Sequence, residues 1–319
     1  MFATMRLSDP IVLEPIFMDR VWGGRRLETH FGKRLPSHGR IGESWEVVDR
    51  PEAQSVVHND PLRGKTLHEL WTQHRAEVFS SDIPDSPRFP LLVKLLDAQE
   101  RLSVQVHPPA AIAPSLNGEP KTEMWYILDN YGDGDIFAGL RHGVTRDAFE
   151  RALRAGSVQD TVHRVPVAPG DCIFIPSGRI HAIGAGNVIV EVQQNSDTTY
   201  RVFDWNRVGL DGKTRELHID ESLKSIDFAD FEPSLQPGGR EAIVECPYFH
   251  VEKWNLSEPR EASPAGQFAI FTVISGSVRC CALQFLPGEF FLIPADLADR
   301  ALHPLSGPAS VLRTTIPRL

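Results

Sequence analysis

Apolar and polar side chains alternate through Leu102–His107, the period-two pattern of a half-buried strand. Such a strand turns Ser103, Gln105 and His107 to one face. That face carries a hydroxyl, an amide and an imidazole, so it is poorly suited to an apolar core. Pro108 and Pro109 end the pairing, and after a loop Glu123 leads the apolar run Met124–Leu128 into a second strand. Gly170–Ala182 reads as a turn, a short buried strand, a Pro/Gly turn and a histidine, His181, opening the next strand.

Elsewhere the same reading predicts mostly strands. Gly42–Val48 alternates into one, with Glu43 and Glu46 expected to be structural or solvated. Val21–Arg26 suggests a packed Trp22 over a tight turn. Pro90–Leu96 is an apolar strand whose Lys94 either snorkels to solvent or serves a pocket. Glu191 sits within the apolar run Val188–Val192, where an unpaired carboxylate is costly, so it needs a cation or donor partner: a core salt bridge or a site. Ile136–Leu140 follows a turn at Gly132–Asp135, whose acidic pair lacks the further oxygens of a calcium loop. Short strands alternate with Gly/Pro turns from Val162 to Tyr200, the signature of a sandwich or barrel.

Two stretches have helical spacing. Thr66–Phe79, capped by Thr66, places His68 and His74 on a helix surface, and Thr145–Ala155 is capped by Thr145. Pro109–Asn117 reads as a short helix over the barrel, and Ser80–Arg88 as a loop. Phe228–Arg240, with two prolines and two glycines, is expected to link residues 1–228 to a second unit at 241–319. In that unit Gly288–Ala295 echoes Gly170–Ser177, but Asp299 stands where His181 stands, and Phe271–Gly276 has no counterpart of Gln105 and His107. The second unit is therefore read as a structural or dimerising module without ligands.

Composition narrows the class. The chain has 319 residues, 41% of them hydrophobic and 24% charged, as expected of an ordinary globular protein. A net charge of −9 argues against nucleic-acid binding but leaves room for a local cationic pocket. No apolar run reaches the length of a membrane span, and Met1–Pro10 lacks the pattern of a signal peptide, so a cytoplasmic protein is expected. Cys172, Cys246, Cys280 and Cys281 have no metal spacing and read as free thiols, the last two facing opposite sides of a strand.

Neighbouring strands could bring Gln105, His107 and Glu123 together, with His181 as a third piece. Imidazole, carboxylate and amide oxygen suit a divalent ion such as zinc or manganese. Satisfied core or surface histidines are the other reading, and the residues alone leave both open. Four ordered motifs add to the first. Gln105–Pro108, Lys121–Glu123, Pro176–Ala182 and Gln193–Trp205 resemble the zinc-dependent mannose-6-phosphate isomerases, in their shorter bacterial form.

The resemblance implies a mainly β protein of cupin-type jelly-roll barrels, with a catalytic N-terminal and a degenerate C-terminal barrel. It implies one Zn²⁺ per chain, held by Gln105, His107, Glu123 and His181, and interconversion of mannose 6-phosphate and fructose 6-phosphate through an enediolate. Arg201 is implied as catalytic; by itself an arginine near an aspartate reads more readily as a surface ion pair. Lys121 and Glu191 are the candidates for the proton shuttle, with the base unassigned between them. Ser103, Lys94 and Arg207 are phosphate candidates, Ser103 the best supported by analogy. The expected partner is a phosphosugar, and the assembly a monomer or homodimer. A metal-cupin oxygenase and a non-catalytic sugar-phosphate-binding cupin are the alternatives.

Overall fold

The computed structural model describes residues 7–80, 82–205, 207–209 and 212–318. The first part of the chain forms β1 (Ile16–Gly24), β2 (Ile41–Val47), β3 (Leu91–Ala98), β4 (Val104–Val106), β5 (Glu123–Asn130) and β6 (Asp135–Leu140). It continues with β7 (Val162–Pro166), β8 (Cys172–Ile175), β9 (His181–Ile183), β10 (Asn187–Gln194) and β11 (Tyr200–Phe203). These strands make a six-stranded sheet, ordered β1-β2-β3-β10-β5-β8, and a five-stranded sheet, ordered β11-β4-β9-β6-β7. Every pairing is antiparallel.

The sheets face each other across one apolar cluster. Leu96, Trp125, Ile127 and Ile189 of the first meet Ile136, Ala138 and Ile183 of the second. Along each inward face, however, the character changes. Lys94 precedes Leu96, Glu123 precedes Trp125, His181 precedes Ile183 and Glu191 follows Ile189, always two residues away and so on the same face. Register completes the arrangement, with Ile189 opposite Leu96 and Ile127, Glu191 opposite Lys94 and Trp125, and Gln193 opposite Glu123. One end of the interior is thus a packed hydrophobic plug and the other is lined by ionisable groups.

The outer faces are covered separately. Helix Arg146–Ala155 presents buried Phe149 to the five-stranded sheet, and Thr145 caps it by accepting from the Ala148 amide at 3.2 Å. The six-stranded sheet is covered by helical residues 67–78 and by the C-terminal unit. That unit is built on the long strands Ala269–Cys280 and Ala301–Thr315, which pair antiparallel. One of its faces has its own core around Trp254, Phe271, Phe291 and Val311. The other contributes Phe268, Ile270, Leu292 and Leu312 to the cluster that holds Trp71, Phe79, Phe89 and Val93.

Several local expectations need correction. Thr66 does cap a helix, in a reciprocal box with Glu69, but the segment breaks at His74 (φ −127°, ψ 28°) into Leu67–Gln73 and Arg75–Val78. Trp22, Gly23 and Gly24 lie in β1 and not in a turn; a Cβ on Gly23 would stand 2.3 Å from the Gly42 amide nitrogen, so glycine permits close strand approach. Cys281 leaves its strand at φ +50°, so the adjacent cysteines do not alternate across a sheet, and all four thiols are free. Phe228–Arg240 is irregular but attached to the barrel: Phe231 bridges to Leu140, and the Gln236 amide donates to Cys172 O at 2.7 Å. Among the described residues, no helix is long and apolar enough to cross a membrane.

Candidate metal centre

His107 follows β4, Glu123 opens β5 and His181 opens β9, so one ligand comes from the six-stranded sheet and two from the five-stranded sheet. Their ligand atoms lie within 4.8 Å of one another, and each residue is almost wholly buried. Each imidazole is oriented by its far nitrogen. His107 Nδ1 donates to Thr198 O at 2.8 Å, and His181 Nδ1 to Arg179 O at 2.8 Å. The Nε2 lone pairs are therefore turned toward Glu123, at 3.4 Å for His107 and 3.6 Å for His181.

The electrostatics fit a cation at this point. Burial, with Lys121 close by, pushes His107 down to about 3, and burial lowers His181 as well, so both imidazoles are neutral donors. Burial opposes charge on Glu123, but the Lys121 ammonium and the two neighbouring imidazoles together outweigh it and hold the carboxyl well below its usual range. His107 Nε2 and Glu123 Oε1 are buried without a hydrogen-bond partner, and Glu123 Oε2 has only the ionic contact to Lys121. Unsatisfied buried acceptors are rare, and a coordinated ion would satisfy them.

Gln105 stands in register with His181 on one side and Arg201 on the other. Its amide lies 3.3 Å from His181 Nε2, and rotating the amide exchanges its nitrogen for its oxygen there. Gln105 and Lys121 join the buried cluster to a cavity of about 490 Å³. Ser103, Lys94, Glu191 and Arg201 also line that cavity. Arg207 does not; it pairs with Asp204 at 3.1 Å and with Glu100 at 3.9 Å.

Within the cavity Lys121 Nζ is 2.7 Å from Glu123 Oε2. Glu191 has the partners its apolar run demanded: Trp125 Nε1 donates at 3.0 Å, and Lys94 Nζ lies at 3.2 Å. Burial nevertheless raises the Glu191 carboxyl above its ordinary value. Arg201 forms no ion pair among the described residues; it donates to Glu216 O at 2.8 Å, and its Nε is buried without a partner.

Glu43, Arg20 and Arg215 are among the cavity residues that escape sequence reasoning. Glu43 is buried rather than solvated, accepting from Arg20 Nε at 2.7 Å and Trp45 Nε1 at 2.6 Å, with Lys94 Nζ at 3.7 Å. Arg20 is the second, on the inward parity of Trp22. Arg215 is the third, held by Asp204 at 2.7 Å; it lies outside any regular strand, where no period marks it. Glu191 stands out within an apolar run, whereas Glu43 lies between Gly42 and Ser44 and has no such contrast.

Fold and cluster together define a metal-binding cupin. Residues 11–135 match the family described as phosphomannose isomerase type I, catalytic domain. Mannose-6-phosphate isomerase ManA of Bacillus subtilis is 39% identical over 310 residues, covering 93% of this chain and 96% of the relative. A crystal structure of the mannose 6-phosphate isomerase from Bacillus subtilis superposes with a TM-score of 0.85 at 33% identity, covering 97% of this chain and 100% of that one. A crystal structure of mannose 6-phosphate isomerase bound with zinc and yttrium shares the fold at a TM-score of 0.73 and 17% identity, covering 98% and 100%. The chain belongs to the mannose-6-phosphate isomerase family.

Proposed function

We propose that this chain interconverts mannose 6-phosphate and fructose 6-phosphate, with residues 1–228 carrying the chemistry and 241–319 serving as support. The observation that carries the reading is the buried His107–Glu123–His181 cluster, with His107 Nε2 lacking a hydrogen-bond partner, beside a cavity lined by Glu191 and by Arg201, which has no ion pair among the described residues. Two imidazoles and a carboxylate suit zinc, with Gln105 as a further ligand. A bound divalent ion supplies Lewis acidity, stabilising negative charge on a sugar oxygen.

The protein's own groups account for the rest. Aldose–ketose exchange removes a proton from the carbon beside the carbonyl and returns it to the neighbouring carbon. Glu191 takes the proton: burial raises its affinity, and its Oε2 has only the Lys94 ammonium, 3.2 Å away and shared with Glu43. Lys121, held at Glu123, is placed to move the hydroxyl proton, and Arg201 offers its guanidinium to the enediolate oxygen. Ser103 and Arg215 are the phosphate contacts, while Lys94 is engaged between two carboxylates. Phosphorylated substrate and free thiols support a cytoplasmic setting.

NMR of fructose 6-phosphate in heavy water tests this. The metal-loaded enzyme is expected to form mannose 6-phosphate with label at the exchanging carbon, and Glu191→Gln to lose at least about 100-fold in that rate. Sugar-phosphate binding without exchange would instead make the protein a non-catalytic cupin.

A further inference from the structure

We infer that Glu43 is a positioning residue for the reaction, acting through Lys94. The inference rests on the isomerase reading above and extends it to a residue that need not touch the sugar.

Arg20, Glu43, Lys94 and Glu191 form a line of alternating charge along one cavity wall. Contacts along it run 2.7 Å from Arg20 Nε to Glu43 Oε1, 3.7 Å from Glu43 Oε2 to Lys94 Nζ, and 3.2 Å from Lys94 Nζ to Glu191 Oε2. Lys94 and Glu191 are both about 95% buried, so neither charge can turn to bulk water. Alone in such a place, an ammonium and a carboxylate close into a tight pair. The Glu191 oxygen that must reach the substrate would then be locked on Lys94.

Glu43 prevents that closure. Both its oxygens are anchored, by Arg20 and by the Trp45 indole at 2.6 Å, and the Trp45 ring also flanks Lys94 Nζ at 5.2 Å. The fixed carboxylate competes for the ammonium, which stands 3.7 Å from Glu43 Oε2 and 3.2 Å from Glu191 Oε2, longer than a tight charge-assisted bond. Glu191 Oε1 stays tied to Trp125, while Oε2 keeps that loose ionic contact and has no hydrogen bond among the described residues. One oxygen is oriented and the other is held loosely enough to exchange a proton.

The experiment is a double-mutant cycle on zinc-loaded full-length enzyme, with zinc content and melting temperature recorded for each variant. Glu43→Gln is expected to lower kcat by about tenfold or more, with KM for fructose 6-phosphate within about threefold. In a Lys94→Met background the same substitution should lower kcat by less than about twofold, because the residue it acts through is gone. Should Glu43→Gln fail to fold, Glu43→Asp keeps the charge but withdraws it by one methylene, and is expected to lower kcat with KM unchanged. Equal losses in the two backgrounds, or unchanged kcat in either Glu43 variant, would overturn the inference while wild-type turnover leaves the isomerase reading standing. A wild-type enzyme without turnover would instead sink that reading, and this inference with it.

Discussion

The main-chain carbonyls of Thr198 and Arg179 decide the coordination chemistry, because each fixes Nδ1 as the donor and leaves Nε2 to face Glu123. At the same scale Glu43 makes acid stability measurable. Burial opposes its charge, but Lys94 and Arg20 bring its carboxyl down to about 2 from the usual 4.5. A depressed folded-state value means the stabilisation is complete above pH 4.5 and lost as pH falls toward 2. Denaturant titrations are therefore expected to show the stability difference between wild type and Glu43→Gln narrowing by about 2 kcal/mol from pH 6 to pH 3. A pH-independent difference would contradict the buried network. His107, Glu123, Glu191 and His181 were legible because each breaks or ends an apolar pattern. Glu43 offers no such contrast: every residue of β2 is buried, so its alternation marks no solvent face.

Among the elements, period two did most of the organising, since it put ionisable groups and plug residues on one inward face of β3, β5, β9 and β10. What it could not reveal was backbone proximity. Gly23 and Gly24 look like a turn in sequence, yet Gly23 lies where β1 and β2 approach too closely for a Cβ. Gly23→Ala must move backbone and not merely a flexible side chain. It is expected to lower the melting temperature by about 5 °C or more in a thermal scan, and an unchanged melting point would contradict the β1–β2 geometry. The break at His74 was equally hidden, because apolar spacing continues through it while the backbone leaves the helical region.

The whole molecule shares more core than a linker reading suggested. Phe268 of the C-terminal unit meets Phe79 at 5.3 Å and Phe89 at 6.2 Å, and the Ile11 and Leu292 backbones exchange bonds of 2.8 and 2.9 Å. The echo of Gly170–Ser177 in Gly288–Ala295 was legible, but this union was not, since contacts between distant apolar residues leave no period. Calorimetry should show one unfolding transition, and Phe268→Ala should cost about 3–5 kcal/mol without changing kcat at low temperature; two separate transitions would contradict the shared core. On the proposed function, one buried ion held by His107, Glu123 and His181 is expected to enable the isomerisation. The most direct test is to strip the protein with chelator and titrate zinc back while following fructose 6-phosphate conversion and bound metal together. Activity should be absent at first, rise in proportion to bound zinc and level off at about one equivalent per chain, with His181→Ala gaining neither metal nor activity. Turnover by the metal-free protein, or by His181→Ala at the wild-type rate, would contradict it.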